Sequence, residues 1–481
     1  MSTQDDPEAY APDPARWRVL SVLLVTIFMS LVGVSIVNVA LPSIQQGLGA
    51  TQSDIQWVLS GYALTFGVVL VAAGRAGDIL GRGPLFIAGV SVFTLSSIAA
   101  GLAPDPLSLN IARFVQGVGS GLLNPQAVGM IQQYFRGAER GRAFGYFGTV
   151  VGLSVAVGPL LGGLLIELGG VENGWRWTFL VNVPVGILAI VLALRWFPRP
   201  LRAGRMGSRR RDLDPIGALL LGLAVLTVLL PFVETDSSAW IWALLPASGL
   251  LVLLWALWER RYKARGRSPM VDLAIFRTAS FSNGALLVSL YFTGMTSIFV
   301  LIALYFQEGL GHSALESGAV GVPSAILGAI AANWGGKVVM RFGRKLVIGG
   351  MFCALAGLAL SILVIQLAAA GMISEWWLLA SLGLVGVGQG AVITPNQTLT
   401  LADVPLEYAG SSGGIMQTGQ RIGTSVGIAM ITAVAFAVLG MSNWPQAITA
   451  GFIVIGAVIL LALVVAFHDL HRRQRNLEKV V

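Results

Sequence analysis

Cysteine is almost absent: Cys353 is the single one in 481 residues. It lies in an apolar run and reads as a small buried hydrophobe, and no disulfide is possible within the chain. Histidine is scarce as well, with three residues (His312, His468, His471) scattered outside any Cys/His ligand spacing, so no metal site is expected. Charged residues make up 11%, where a soluble domain carries about 25%. A chain so poor in charge cannot clothe several globular surfaces, which excludes a cytosolic enzyme and a stapled secreted domain. No glycine-rich loop completes a phosphate cradle, and no nucleophile elbow or His/carboxylate cluster is present. An enzyme and a self-contained ATP-driven pump are therefore not expected, and neither is a cofactor.

What the chain has in plenty is apolar length. Hydrophobic residues reach 55%, mean hydropathy is +0.78, and sixty glycines point to close helix packing in lipid. Apolar runs long enough to cross about 30 Å of hydrocarbon fall at 18–41, 54–73, 84–103, 107–132, 143–166, 177–196, 214–233, 239–258, 282–306, 317–336, 346–369, 376–400, 412–437 and 446–467. The expected fold is an all-α integral membrane protein with fourteen transmembrane helices, lying in the plasma (inner) membrane.

Loop charge sets the orientation. With the N-terminus inside, 28 of the 31 Lys/Arg face the cytoplasm; Arg113 and Arg421 lie within spans and Arg176 lies outside. That asymmetry puts both termini in the cytoplasm. A pI near 10.0 then marks topology rather than nucleic-acid binding.

Two stretches repeat. Gly74-Arg-Ala-Gly-Asp78-Ile-Leu-Gly81-Arg82 and Gly336-Lys-Val-Val-Met340-Arg-Phe-Gly343-Arg344 have Gly81 and Gly343 262 residues apart (343 − 81). Gly117-Val-Gly119-Ser-Gly121 and Gly386-Val-Gly388-Gln-Gly390 are offset by 269 (386 − 117). Both offsets exceed half the chain, as two six-helix halves with two extra helices between them require. Repeated halves around a central site are the architecture of secondary transporters. The expected parts are an N-terminal tail (1–17), a six-helix bundle (18–200), a basic connector (201–213), two inserted helices (214–258), a second connector (259–281), a second six-helix bundle (282–467) and a C-terminal tail (468–481).

These residues resemble the major facilitator superfamily, in particular its fourteen-spanning drug:proton antiporter branch. Ser35-Ile-Val-Asn38-Val-Ala-Leu-Pro42 closes span 1, and Gln56-Trp57 with Tyr62 opens span 2. The 74–82 stretch resembles the family's gating loop, Arg113-Phe-Val-Gln116-Gly117 its span-4 motif, and Gly158-Pro159-Leu-Leu-Gly162-Gly163 its antiporter motif. Gly174-Trp-Arg-Trp177 and Asn182-Val-Pro184-Val-Gly186 resemble the branch signature at span 6. The resemblance implies a monomeric exporter that exchanges small amphipathic compounds for protons by alternating access. Import or facilitated passage without antiport is the alternative. Three departures stand out: Ile79 and Gly83 replace usually basic residues, Gly33 replaces an acid usual in span 1, and Met340 leaves the second gating loop without its acid.

The candidate residues follow. Asp78 is expected either to sit at a helix N-terminus or to accept hydrogen bonds from the other half, latching one conformation with Arg82, Arg140 or Arg142 as partner. Gly158, Pro159, Gly162 and Gly163 let span 5 bend and let a neighbour approach, sealing and parting the halves. Arg113 inside span 4 costs at least about 2.5–3.5 kcal/mol to insert, which marks it for coupling or substrate contact. No carboxylate lies in the middle third of any span, so the proton falls to an outer acid, Asp54 or Glu308. The candidate cavity comprises Asn38, Trp57, Tyr62, Gln116, Tyr291, Met295, Glu308, Asn396, Gln417 and Arg421. With two arginines and no central acid, such a cavity favours neutral or anionic compounds over lipophilic cations.

Overall fold

A computed structural model describes residues 13–170, 172–198, 213–233 and 239–478. The basic connector at 201–213 lies almost wholly outside them, as do parts of both tails. The first half contains α1 (Arg16–Leu48), α2 (Gln52–Leu80), α3 (Arg82–Gly101), α4 (Pro106–Tyr134), α5 (Gly137–Gly169), α6 (Gly174–Leu180) and α7 (Asn182–Trp196). Then come α8 (Pro215–Val233) and α9 (Leu244–Ala264). The second half contains α10 (Ala279–Leu304), α11 (Ala314–Phe342), α12 (Arg344–Ala369), α13 (Leu378–Thr400), α14 (Ala409–Leu439) and α15 (Trp444–Glu478). Among the described residues there is no β-strand.

Thirteen of these segments are long and apolar enough to cross a membrane, with α6 and α7 counting as one. Helix α4 is long enough at 29 residues but too polar. Its Arg113, Gln116, Asn124, Gln126 and Gln132 are all buried, so protein rather than lipid surrounds them. A helix wrapped by others has no need of an apolar surface.

Most helices overrun the apolar stretches that announce them. Helix α1 continues from 41 to Leu48, and α2 from 73 to Leu80. Backbone hydrogen bonding does not stop where hydrocarbon ends; it stops at a breaker. Gly49 (φ +60°) ends α1 and Gly81 (φ +104°) ends α2, both in backbone conformations that favour glycine. Helix α15 runs past 467 to Glu478, so the expected tail begins inside a helix. Span 6 is two pieces parted at Val181, and Arg176 ties its outer end down by donating to the carbonyls of Gly101 (3.1 Å) and Ala103 (2.8 Å).

The packing pairs off between the halves. Helix α4 packs on α2 and α3, as α13 packs on α11 and α12; α1 packs on α5, as α10 packs on α14. Two seams join the halves, α2 against α14 and α5 against α11, and exchanging the halves turns one seam into the other. The glycine runs explain why these helices come so close. A Cβ on Gly119 would meet the Phe93 backbone nitrogen at 2.6 Å, and one on Gly388 would meet the Ala354 nitrogen at 2.6 Å. The inserted hairpin breaks the pairing: α8 packs against both α2 and α14, covering one seam only.

Candidate functional site

The last turn of α2 places Asp78 at the first turn of α14. Its buried carboxylate accepts the N–H of Gly410 (2.9 Å), the N–H of Ser411 (3.0 Å) and the Ser411 hydroxyl (3.2 Å). These are orphan donors at a helix N-terminus, where the dipole also favours an anion. Arg82 donates to the same carboxylate at 2.7 and 3.2 Å, to the Leu406 carbonyl at 2.7 Å and to Gln133 Oε1 at 2.9 Å. Gly74 lets the chains touch, since a Cβ there would collide with the Gly410 carbonyl. Two further bonds cross between halves nearby: Gln132 Nε2 to the Ala409 carbonyl (3.2 Å) and Arg140 Nη1 to the Leu401 carbonyl (3.4 Å). Arg142, expected as a partner, is exposed and takes no part. Its neighbour Gly141 faces α11, and a step of one residue turns the side chain about 100° away.

Between α5 and α11 the halves meet through small residues. A Cβ on Gly141 would strike the Gly336 carbonyl, and one on Gly145 would lie 3.3 Å from the carbonyls of Ala332 and Asn333. Thr149 donates to the Ala329 carbonyl at 3.0 Å. The span-5 motif is not at this seam. Gly158 abuts Ser35 and Gly162 abuts Ile36, so both seat α5 on α1 within one half, while a Cβ on Gly163 would meet nothing within 4 Å. Small-residue spacing shows that a helix neighbour is close but not which neighbour. Pro159 lies within the same continuous helix.

Arg113 is buried inside the first half. It donates to the Val58 carbonyl (2.8 Å) and to Gln116 Oε1 (2.6 Å), and Gln116 donates to Ser97 Oγ (2.7 Å). Its guanidinium lies 4.4 Å from the Tyr62 ring centroid, and the Tyr62 hydroxyl reaches Ser120 Oγ at 2.6 Å. A carbonyl, an amide and a ring therefore solvate this cation. Arg421 differs. It is half-buried, and from α14 it reaches Phe66 on α2 with 4.3 Å to the ring centroid, bridging a seam.

The expected cavity set divides. Asn38 and Glu308 are exposed, and Trp57, Gln417 and Arg421 are half-buried. Tyr62, Gln116, Tyr291, Met295 and Asn396 are buried within the helices. Residue type alone does not reveal which side of a helix faces the cavity. Glu308 lies in the π-helical turn Tyr305–Gly309 that follows α10. Asp54 belongs to a capping box, accepting the Thr51 N–H (2.9 Å) and hydroxyl (2.7 Å). That is the geometry of a helix cap, not of a desolvated proton carrier.

Three features escaped the sequence reading. Arg344, equivalent to Arg82, is buried and bonded to Asp469 (2.7 Å) and to the Asn396 side chain, while Asn283 donates to Asp469 at 2.9 Å. Asp469 lay in what read as a tail, so only the 262-residue offset hinted at Arg344. His312 sits between Glu375 (3.2 Å) and Glu316 (3.5 Å), stacked on Phe306. Asp272 accepts from Lys263 (2.7 Å) and the Tyr408 hydroxyl (3.2 Å), which ties the connector after α9 to the entrance of α14.

Comparison with known proteins places this geometry in a family. Residues 23–428 match the model of the Major Facilitator Superfamily. The chain is 33% identical over 441 residues to the "Probable actinorhodin transporter" of Streptomyces coelicolor, covering 90% of this chain and 75% of that protein. It is 32% identical over 442 residues to the "Tetracenomycin C resistance and export protein" of Streptomyces glaucescens, covering 89% and 79%. Among solved structures, the human organic anion transporter MFSD10 (TETRAN) aligns with a TM-score of 0.66 at 15% identity, over 94% of this chain and 100% of that one. The proton:xylose symporter XylE aligns with a TM-score of 0.65 at 14% identity, over 94% and 95%. At such identity the two structures speak for the fold alone. With its family model spanning most of its length, this chain belongs to the major facilitator superfamily of membrane transporters.

Proposed function

We propose that this protein exports small amphipathic compounds, neutral or anionic, in exchange for protons, and that it belongs to the fourteen-spanning antiporter branch. The observation that carries the reading is the carboxylate of Asp78 bonded across the halves to the first turn of α14. That contact ties the two bundles together at the end that loop charge assigns to the cytoplasm, so breaking it is the natural step that opens the site inward. Residues 18–200 and 282–467 then rock about a shared centre, and α4 is the fourteenth crossing. Both termini lie on the cytoplasmic side of the cell membrane, and the working unit is a monomer. Coupling and gating fall to Asp78, Arg82 and Arg113, and substrate contact to Asn38, Trp57, Gln417 and Arg421.

The relatives support the direction, since one is named a tetracenomycin C resistance and export protein. The substrate charge rests on Arg421, which stands in the seam without a carboxylate in the middle of any span. The test is purified protein in vesicles with an imposed proton gradient, offered cationic dyes, anionic drugs and neutral drugs. Uptake of the anionic or neutral compounds, with proton counterflow that appears only when they are present, supports the reading. Transport without substrate-dependent proton flow supports a facilitator, and strong preference for cations removes the cavity assignment.

A further inference from the structure

At the end of the inserted hairpin, α9 and the short turn Leu273–Arg277 enclose an open cleft of about 600 Å³. Arg260, Lys263, Asp272, Leu273, Ala274 and Arg277 line it, together with Glu259 at its inner wall. Asp272 is fully engaged, and Glu259 is buried and bonded through one oxygen, its Oε2 having no hydrogen-bond partner among the described residues. Asp272 is bonded to Lys263 and Tyr408, and buried Glu259 accepts the Val271 N–H at 3.4 Å. Arg260 and Arg277 stand on opposite walls, both exposed, with no ion-pair partner among the described residues. The cleft therefore presents two free guanidinium forks, which suit the paired oxygens of a phosphate group.

Its surroundings are not those of a soluble-anion site. Leu253 and Leu257 lie seven and three residues before Arg260, on the same face of α9, and are 56% and 42% exposed. Phe276, beside Arg277, is 40% exposed. An apolar ridge thus leads down the membrane-facing surface of α9 to a cationic mouth. A ligand with an anionic head and an apolar tail meets both surfaces at once.

We infer that this cleft is a binding site for the phosphodiester headgroup of an anionic membrane lipid, held by Arg260 and Arg277 with its acyl chains along Leu253 and Leu257. The site is independent of substrate, direction and coupling ion. It needs only that α9 crosses the bilayer with its C-terminal end inside, where anionic headgroups attract basic residues.

The test offers the purified full-length chain an equimolar mixture of dioleoyl phosphatidylglycerol and dioleoyl phosphatidylcholine in detergent, with retained lipid counted by native mass spectrometry. The wild type is expected to keep phosphatidylglycerol in preference, and the pair Arg260→Gln with Arg277→Gln to lose that preference by about tenfold. Arg260→Lys with Arg277→Lys should keep part of it, since charge remains but the fork is gone. A wild type without preference, or a glutamine pair that matches it, overturns the inference. Millimolar inorganic phosphate should leave the lipid bound; displacement would make the cleft a soluble-anion site and end the lipid assignment. Should the glutamine pair fail to fold, a photoreactive phosphatidylglycerol on the wild type decides: label within residues 253–277 upholds the site, and label confined elsewhere removes it.

Discussion

The two seams between the halves exchange places under the internal pairing of helices, yet they are held by different chemistry. At α2–α14 a buried carboxylate, Asp78, sits on the open N-terminus of a helix and binds an arginine as well. At α5–α11 the equivalent residue is Met340, 55% exposed, and closure relies on glycine-to-carbonyl contact and one threonine hydroxyl. The N-terminus of α5 has its own acid, Glu139, paired with Arg16 at 3.1 Å. In the second half the arginine of the repeated loop, Arg344, turns inward to Asp469 and stabilises its own bundle. One seam is thus closed by a charge and its hydrogen bonds. The other is a fitted surface, sensitive to volume.

That contrast is open to direct attack. The largest effect is expected from Asp78→Asn, which keeps the shape and removes the charge. Charge-assisted bonds contribute about 1.5–3 kcal/mol, so the ratio of closed to open α2–α14 seams should move by roughly 10- to 100-fold. Faster amide exchange at Ser411 and a collapse of transport are the readouts; an unaltered exchange rate would show that Asp78 is not the latch. Gly336→Val attacks the other seam by volume. Overpacking costs about 1–3 kcal/mol, and the variant should reach the membrane yet fail to close, with the Ser411 amide less affected than in Asp78→Asn. Equal disturbance at Ser411 would mean the two seams act as one.

Arg113→Leu installs the residue that the second half carries at the matching place, Leu382 (113 + 269). It leaves the buried Gln116 Oε1 without its donor, at about 1–3 kcal/mol, while the Val58 carbonyl falls back on its bond within α2. Transport should fall by more than tenfold while protein still reaches the membrane. Retained activity would make Arg113 a packing residue.

Met340→Asp asks whether the second seam accepts a latch. Glu139 already serves the N-terminus of α5, so the added charge should alter transport by less than about threefold. A larger gain would show that an acid is the one thing that seam lacks.

The smallest effect concerns the tie between the connector and α14. Burial pushes the Asp272 carboxyl up, but hydrogen bonds from Lys263, the Ala274 N–H and Tyr408, with the Lys263 charge, outweigh it and hold the group below the usual carboxylate range. A depressed folded value contributes stability that is present above the unfolded value and lost as pH falls through the folded one. Proteolytic protection of residues 265–278 should therefore be flat from pH 5 to 8 and fall only in stronger acid, below about pH 4. Asp272→Asn should lose that acid limb.

Much of this was legible without coordinates. Apolar length, loop charge and the 262- and 269-residue offsets lead to a helical, repeated membrane chain because lipid tolerates only backbone that satisfies its own hydrogen bonds. Asp78 stood out in the sequence because the 74–82 stretch resembles the family's gating loop, which implies a latch there. Its receptor did not, since Gly410 and Ser411 are ordinary small residues until another chain segment points an anion at them. The misplacement of Gly158 and Gly162 has a similar origin: a groove is visible in one sequence, but the helix that fills it is not.

Sequence alone determined that the chain forms long apolar helices and which loops carry positive charge, because these depend on local hydrogen bonding and transfer into lipid. Tertiary structure alone decided which carbonyls solvate Arg113, where Asp78 finds its donors, why Arg344 turns inward, and that α8 covers one seam and leaves the other bare. Those outcomes depend on distances between segments hundreds of residues apart, and helix periodicity carries no information about them.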